Sequence, residues 1–561
     1  MSGTRSPIAS RFARPGSALV PLALCAACAA APGGAGAAPS PPGSPREDRV
    51  VLTAFDFIPA VAASRHTVYV AGPDGIAALD RDFDRWLPPA SFGPGFTAGA
   101  VTAMAADPVE EGAWIAAAGT VLYYRPSLGD IARGVAPGAI DAIVFDQRDP
   151  GAGAYLHGST GWALVTRTGL VALVDPSRVP PAAARSHPAS LAEVYAAYPS
   201  LRGAAALITR DADLRSWPVI SGTIAPDRSE VWLGTAGGGL YRVDPLFLKG
   251  EQLSYGPLQT ATAALARDSD GVWLAGVGGA SGAVRPGLSH ASGDLQRWRW
   301  LSSPAVSRVL SGARARRIGV RGDRLWVATD RGLVSLDAGD PEHALRWSAT
   351  NGLPDDRVLS VAAHDSGAWV GTTRGLAFVR SETSARAARA SDVHVAAGPP
   401  APVRSLLLVG DTLWVGSDAG VLLVRGALSD AVPRTVNVRD ARLSRPIFAL
   451  AASDSLVAAA TDRELLVIAP ATASIVPLYD AVSIAPIAPV SAMAMDASTI
   501  WLAGRGGVLV VARSSGASRF LPAPGAIPAG ALDVALDPHF AWIATPSGVV
   551  RLRRSSDGGA R

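Results

Sequence analysis

NGLPDDRVLSVAAHDSGAWVGTTRGLAFV, residues 351–379, holds the reading of the whole chain in one unit. An apolar run, Val358 to Ala363, closes on the turn Asp365-Ser366-Gly367; a second run opens on Trp369, turns tightly at Gly375, and a third follows. Alternating short apolar runs with Gly and Asp between them are strands joined by hairpins. The unit recurs as WLGTAGGGLYRVD (232–244), WVATDRGLVSLD (326–337), WVGSDAGVLLV (414–424), WLAGRGGVLVV (501–511) and WIATPSGVVRL (542–552). Weaker copies open at Tyr69, Trp114, Tyr155, Trp273 and Val457, which makes eleven, and nine of the eleven carry Gly six residues after the lead position. Eight of the fourteen tryptophans fill the lead slot, so the period is structural rather than compositional.

Most leads lie 41–45 residues apart, the length of one four-stranded propeller blade. A fourth strand is marked by Arg beside an aromatic, as in Arg85-Trp86, Arg297-Trp298, Arg346-Trp347 and Arg519-Phe520. Strands apolar on both faces suit sheets stacked face to face. The expected fold is all-β, a β-propeller of about eleven four-stranded units with a short helical insertion. Eleven exceeds the usual four to eight blades of one ring, so two rings are expected, over 49–300 and 301–561. Two long spacings break the period. One holds a Pro-rich stretch and ASLAEVYAAY (189–198), which predicts helix within 176–210; the other, 285–317, is read as the joint between rings. RVVLTAFDF (49–57) is an orphan strand before the first unit, while the last unit stops after its third. That orphan is available to close the last blade, in one large ring or in a chain that returns to its first ring.

The 561 residues are 48% apolar and 17% charged, a composition that folds and buries a large core. The formal net charge of +4 falls to +1 without Arg5, Arg11 and Arg14 of the first 28 residues, so nucleic acid is not an expected partner. Lys249 is the only lysine, which removes Schiff-base chemistry and Walker-type phosphate loops almost entirely. Residues 1–31 read as a secretory signal, with an Arg-containing start and an apolar run from Ala18 to Ala31. Ala26-Ala27-Cys28 has the form of a bacterial lipobox whose cysteine is lipidated; ordinary cleavage near Ala29 to Ala31 is the alternative. Residues 32–48, rich in Pro, Gly, Ser and Ala, read as a tether. The expected location is therefore extracytoplasmic: periplasm or outer membrane if lipidated, or secreted.

Residues 351–379 resemble the two-component regulator propeller repeat family, whose pattern is Asn-Gly-Leu-Pro, a Val-containing strand, an Asp/Gly turn, Trp-Val-Gly-Thr and Gly-Leu. The resemblance is degraded but recognisable over about residues 50–555. It implies a propeller fold and an extracytoplasmic location; members often sense polysaccharide fragments for hybrid histidine kinases. No kinase or DNA-binding segment follows the repeats here, so the resemblance speaks less for signalling.

Catalytic signatures are sparse. There is no HExxH, no GxSxG and no cysteine pair after the leader, and no cofactor or metal site is expected. His157 stands where the other ten copies have Gly or Ala, and reads as a hydrogen-bonded structural histidine. Asp80, Asp82 and Asp84 alternate as in some calcium loops but lack the turn Gly and closing Glu. GTAGGG (234–239) occupies a hairpin slot and reads as a turn. The better constellation is topological. In an up-and-down blade the turn between strands two and three shares a rim with the loop joining consecutive blades. That rim receives Arg331, Arg374, Arg463 and Arg505 from turns and Arg308, Arg357 and Arg404 from joining loops. Asp330, Asp355, Asp356, Asp418 and Asp462 partly offset them. Guanidinium forks suit carboxylate or sulfate, so the rim is a candidate anion site beside the plainer reading of solvated turns. Three functions follow: a non-catalytic module binding a glycan, peptide or protein; a lipoprotein scaffold for an envelope protein; and a propeller lyase.

Overall fold

The computed structural model describes residues 49–554 apart from 94–100, 118, 137, 182–184, 187–189, 279–285, 381–386, 397–399, 427–433, 438–439, 454 and 471–473. The leader with Cys28 and the tether over 32–48 lie outside the described residues. Among the described residues no helix is long and apolar enough to cross a membrane.

Among the described residues, ten antiparallel sheets of four strands and one of five account for nearly all the regular structure. Numbered along the chain they are blade 1 (60–91), blade 2 (101–135), blade 3 (140–174), blade 4 (219–253), blade 5 (262–301), blade 6 (315–347), blade 7 (358–395), blade 8 (403–437), blade 9 (449–475), blade 10 (490–522) and blade 11 (533–553). Blade 3 gains its fifth strand from Arg185–Ser186, beside Ile140–Asp146. The second strands Val231–Thr235, Gly367–Thr372 and Thr499–Gly504 are buried at every position, as sheets covered on both faces require.

Lead side chains tie each blade to its neighbour. Trp273 packs against Leu325 and Val327 of blade 6, Trp326 against Val361 and Val370 of blade 7, and Trp369 against Val403 and Val415 of blade 8. Trp501 meets Ile543 of blade 11, and Trp542 meets Leu265 and Leu274 of blade 5. The first strands pack in the same succession from blade 5 to blade 11 and back to blade 5, so seven blades close a ring. The seam is closed by a strand from the far end of the chain. Arg49–Leu52, β1, is the outer strand of blade 11, with Arg49 opposite Leu552 and Leu52 opposite Val549. Leu265 N–H of blade 5 also donates to Asp533 of blade 11 at 2.9 Å.

Blades 1–4 form an arc of their own. Blade 1 packs on blades 2 and 4, and blade 2 on blade 3. Two helices, α1 (Leu191–Ala197) and α2 (Pro199–Ile208), set Val194, Leu201 and Ile208 against Val231, Leu233, Tyr241 and Val243 of blade 4, the face a preceding blade would otherwise cover. Ser190 starts α1 with a capping box to Glu193, which satisfies the first free N–H groups. This is the helical insertion expected over 176–210.

The expected division at residue 300 falls inside the ring. Packing divides the chain between 253 and 262, and the ring recovers β1 from beyond the arc. The long spacing that suggested a joint is filled by a third helix, α3 (Pro304–Leu310), whose Ala305, Val306 and Leu310 are buried between blades 5 and 6. It is an insertion between neighbours rather than a linker.

One local device recurs unevenly. Trp273 Nε1 donates to Asp268 and Trp542 Nε1 to Asp537, both at 2.7 Å, from a carboxylate five residues earlier that also accepts the turn N–H groups. In blade 7 the equivalent position is His364, and the buried Trp369 Nε1 has no acceptor. His364→Asp should therefore raise the urea midpoint, by about 1 kcal/mol of stability, since a buried orphan donor gains a charged acceptor. An unchanged or lower midpoint would reject the comparison between these turns.

Candidate functional site

Most inner strands of the ring carry a bulge near their start. The register slips between Thr262 and Ala264, Ala315 and Arg317, Val358 and Ser360, Val403 and Ser405, and Val490 and Ala492. A bulge inserts one unpaired residue and re-aims its side chain. The inserted residues Ala263, Arg316, Leu359, Arg404 and Ser491, joined by Phe448 of blade 9 and Leu532 of blade 11, line one axial cavity of about 380 Å³. Each of the seven blades thus contributes one slot. Two slots hold arginine, with Arg314 and Arg317 beside them, and Leu359, Phe448, Val490 and Leu532 add apolar surface to the same lining.

Charge in this mouth is unbalanced. Arg404 is committed to Asp418 at 3.0 Å and lies over the Phe448 ring at 5.2 Å. Arg317 bonds the Ser491 carbonyl and approaches Asp533 at 3.8 Å. Burial holds the Asp533 carboxyl above its usual range, against the pull of Arg317 and of the Leu265 and Val534 N–H groups. Arg314 contacts Asp330 through its backbone N–H at 2.8 Å. Arg316 remains open to solvent, yet the ring walls desolvate its guanidinium enough to lower its pKa; Asp330 opposes this, and Arg357, Arg317 and Arg314 add to it. No side-chain hydrogen bond or ion pair engages the Arg314, Arg316 or Arg357 guanidinium among the described residues. Like charges held together at the end of a partly desolvated cavity favour an anion, which relieves both penalties at once.

The seven arginines expected on the rim are distributed as follows. Arg404 lines the mouth, and Arg357, at the start of the neighbouring blade 7, acts on Arg316 through its charge. Arg331, Arg374, Arg463 and Arg505 are exposed on turns between second and third strands, outside the axial lining. Arg374 pairs with Asp355 at 3.3 Å and Arg463 with Asp462 at 3.5 Å. Arg308 is exposed on α3, also outside the axial lining. Sequence reading passed over Arg314, Arg316 and Arg317. The signal was present as ARARR (313–317), but that run was assigned to a joint between rings rather than to the start of an inner strand.

His157 bonds Asp141 at 2.7 Å and packs on Trp162. Asp80 caps its own turn through the Asp82 and Phe83 N–H groups, while Asp82 bonds His66 and Asp84 bonds Arg242. Gly237 and Gly239, both at positive φ, form the tight hairpin end against which Trp217 lies. No histidine or cysteine lines the axial mouth, and the described residues contain no group of three His, Cys, Asp or Glu set to hold a metal.

These features define a β-propeller protein with an arginine-bearing axial mouth. PorZ, a surface component of the type-IX secretion system of Porphyromonas gingivalis, is similar in fold: 13% identity, TM-score 0.50, covering 90% of this chain and 87% of that one. The extracellular domain of a hybrid two-component system of B. thetaiotaomicron aligns at 13% identity and TM-score 0.41, over 88% of this chain and 70% of that one. A virginiamycin B lyase from Staphylococcus aureus aligns at 10% identity and TM-score 0.40, over 53% of this chain and 96% of that one. No family model matches the chain, and no curated protein matches it.

Proposed function

We propose that this chain is a non-catalytic, extracytoplasmic binding propeller whose ring mouth takes an acidic glycan or another polyanion. The observation that carries the reading is the pair of arginines in equivalent axial slots, backed by Arg314 and Arg357 and interleaved with apolar lining residues. A sugar acid matches both halves, with its carboxylate on the forks and its ring face on Leu359, Phe448 and Leu532. The leader and tether support delivery across the inner membrane, with a lipid anchor at Cys28 as one form of the mature protein.

Calorimetry with oligogalacturonate and with a neutral malto-oligosaccharide tests this. Oligogalacturonate should bind, weaken as salt rises, and weaken about tenfold or more in the Arg314→Ala/Arg316→Ala variant. The rim variant Arg331→Ala/Arg374→Ala should bind nearly as wild type. Equal binding of the neutral sugar, or equal affinity in the axial variant, would return these side chains to solvated surface.

A second reading, the envelope scaffold, is favoured by a different observation. Phe83, Leu128 and Phe247 occupy the same position in the turns between third and fourth strands of blades 1, 2 and 4, each before a residue at positive φ. They are 80%, 56% and 81% exposed. The equivalent residue in ring blade 10 is Ser515, and in blade 5 it is the exposed Asp294. Apolar tips confined to the arc suit a protein partner docked there.

A further inference from the structure

We infer that the cleft between the arc and the ring is a second binding site, separate from the axial mouth, for a small carboxylate with an apolar or aromatic body. The cleft encloses about 540 Å³, within the range of small-molecule sites. Its walls come from both bodies: Arg85, Trp86 and Pro88 of blade 1, and the turns of blades 5 and 11 at their rim opposite the axial mouth. The two sides are held in register by a reciprocal pair, Trp86 N–H to Gln296 Oε1 at 2.9 Å and Gln296 Nε2 to the Trp86 carbonyl at 3.0 Å.

Donors and acceptors are unequal in what they leave for a ligand. Asp268 accepts from Trp273 Nε1, the Gly271 and Asp270 N–H groups and His290. Asp537 accepts from Trp542 Nε1 and the His539 and Phe540 N–H groups, and Asp294 from Ser292 and the Gln296 N–H. The Asp268, Asp294 and Asp537 carboxylates are thus consumed by their own turns. The Arg85 and Arg267 guanidiniums, both exposed at the cleft, engage no side-chain hydrogen bond or ion pair among the described residues. Deeper in, the buried Arg551 guanidinium lies over the Phe540 ring at 4.1 Å. A ligand entering here meets free N–H forks at the lips and aromatic and aliphatic surface inside, the complement of a carboxylate on an apolar body. These three aspartates, with Asp270 on the same lining, set a limit: they repel denser charge, so a monocarboxylate fits better than a polyphosphate.

The test uses benzoate and its neutral isostere benzamide, with ligand-observed saturation-transfer NMR on the whole chain. Benzoate should bind more tightly than benzamide by about tenfold or more, and Arg85→Ala/Arg267→Ala should abolish that difference while circular dichroism stays unchanged. Inorganic pyrophosphate should not displace it. Benzoate binding that survives the double variant, equals that of benzamide, or is lost only in Arg314→Ala/Arg316→Ala would overturn the inference. The last outcome would move benzoate to the axial mouth and leave the proposed function standing.

Discussion

Removing the hold of β1 should open the seven-bladed ring. Leu52 and Val50 are 0% and 2% exposed and pack with Leu265, Leu274, Trp542 and Val549, so they belong to the seam between blades 5 and 11. Replacing both by alanine should cost about 4 kcal/mol or more, given about 2–5 kcal/mol for a buried leucine alone. Proline at Val51 attacks the same joint differently, because its ring fixes φ and crowds the backbone of the strand that pairs with Gly548–Arg553. Hydrogen exchange should then show blades 5 and 11 losing protection before blades 7 and 8. A wild-type urea midpoint in both variants would mean that the ring closes without β1. The mouth shares this fate: its seven slots meet only while the ring is closed, so the same variants should also weaken oligogalacturonate.

The blade was readable because its chemistry is local. Trp369 and Gly375 repeat as a strand and hairpin require, and each copy reports its own structure. The division of the chain was less readable, because which blades neighbour one another is decided by long-range packing. α3 lengthened a spacing without ending the ring, and β1 joins Val549–Leu552 across the whole arc. The orphan strand before the first unit did carry that clue, in the alternative of a chain that returns. For the site, topology correctly assigned turns and joining loops to one rim, but it treated all the arginines there alike. What separates Arg404 and Arg316 from Arg331 is a single inserted residue in the inner strand, which turns a rim position into an axial one. A bulge leaves no residue-type signature in RARRIGV or VRSLLLV, so the axis stays hidden until the register is known.

Truncating the lead tryptophans should rank them by their indole nitrogens. Trp542 is fully buried in the seam between blades 11 and 5 and donates to Asp537, which also holds the His539 and Phe540 N–H groups. Trp542→Ala opens a cavity worth about 3–5 kcal/mol and also removes one donor from that carboxylate. Trp369 fills a comparable space between blades 7 and 8 beside Phe378, at 5.1 Å between ring centroids, but its buried Nε1 has no acceptor. Its removal opens a similar cavity while relieving a desolvated donor, an offset of about 1–3 kcal/mol. Trp369→Ala should therefore cost less than Trp542→Ala, and Trp369→Phe, which keeps most of the ring and drops the N–H, should be nearly neutral. Trp542→Phe should not be. Urea midpoints of the four variants separate these effects: equal losses at the two positions would show that cavity size alone sets the cost, and an unchanged Trp542→Ala midpoint would mean that the lead side chain does not hold blade to blade.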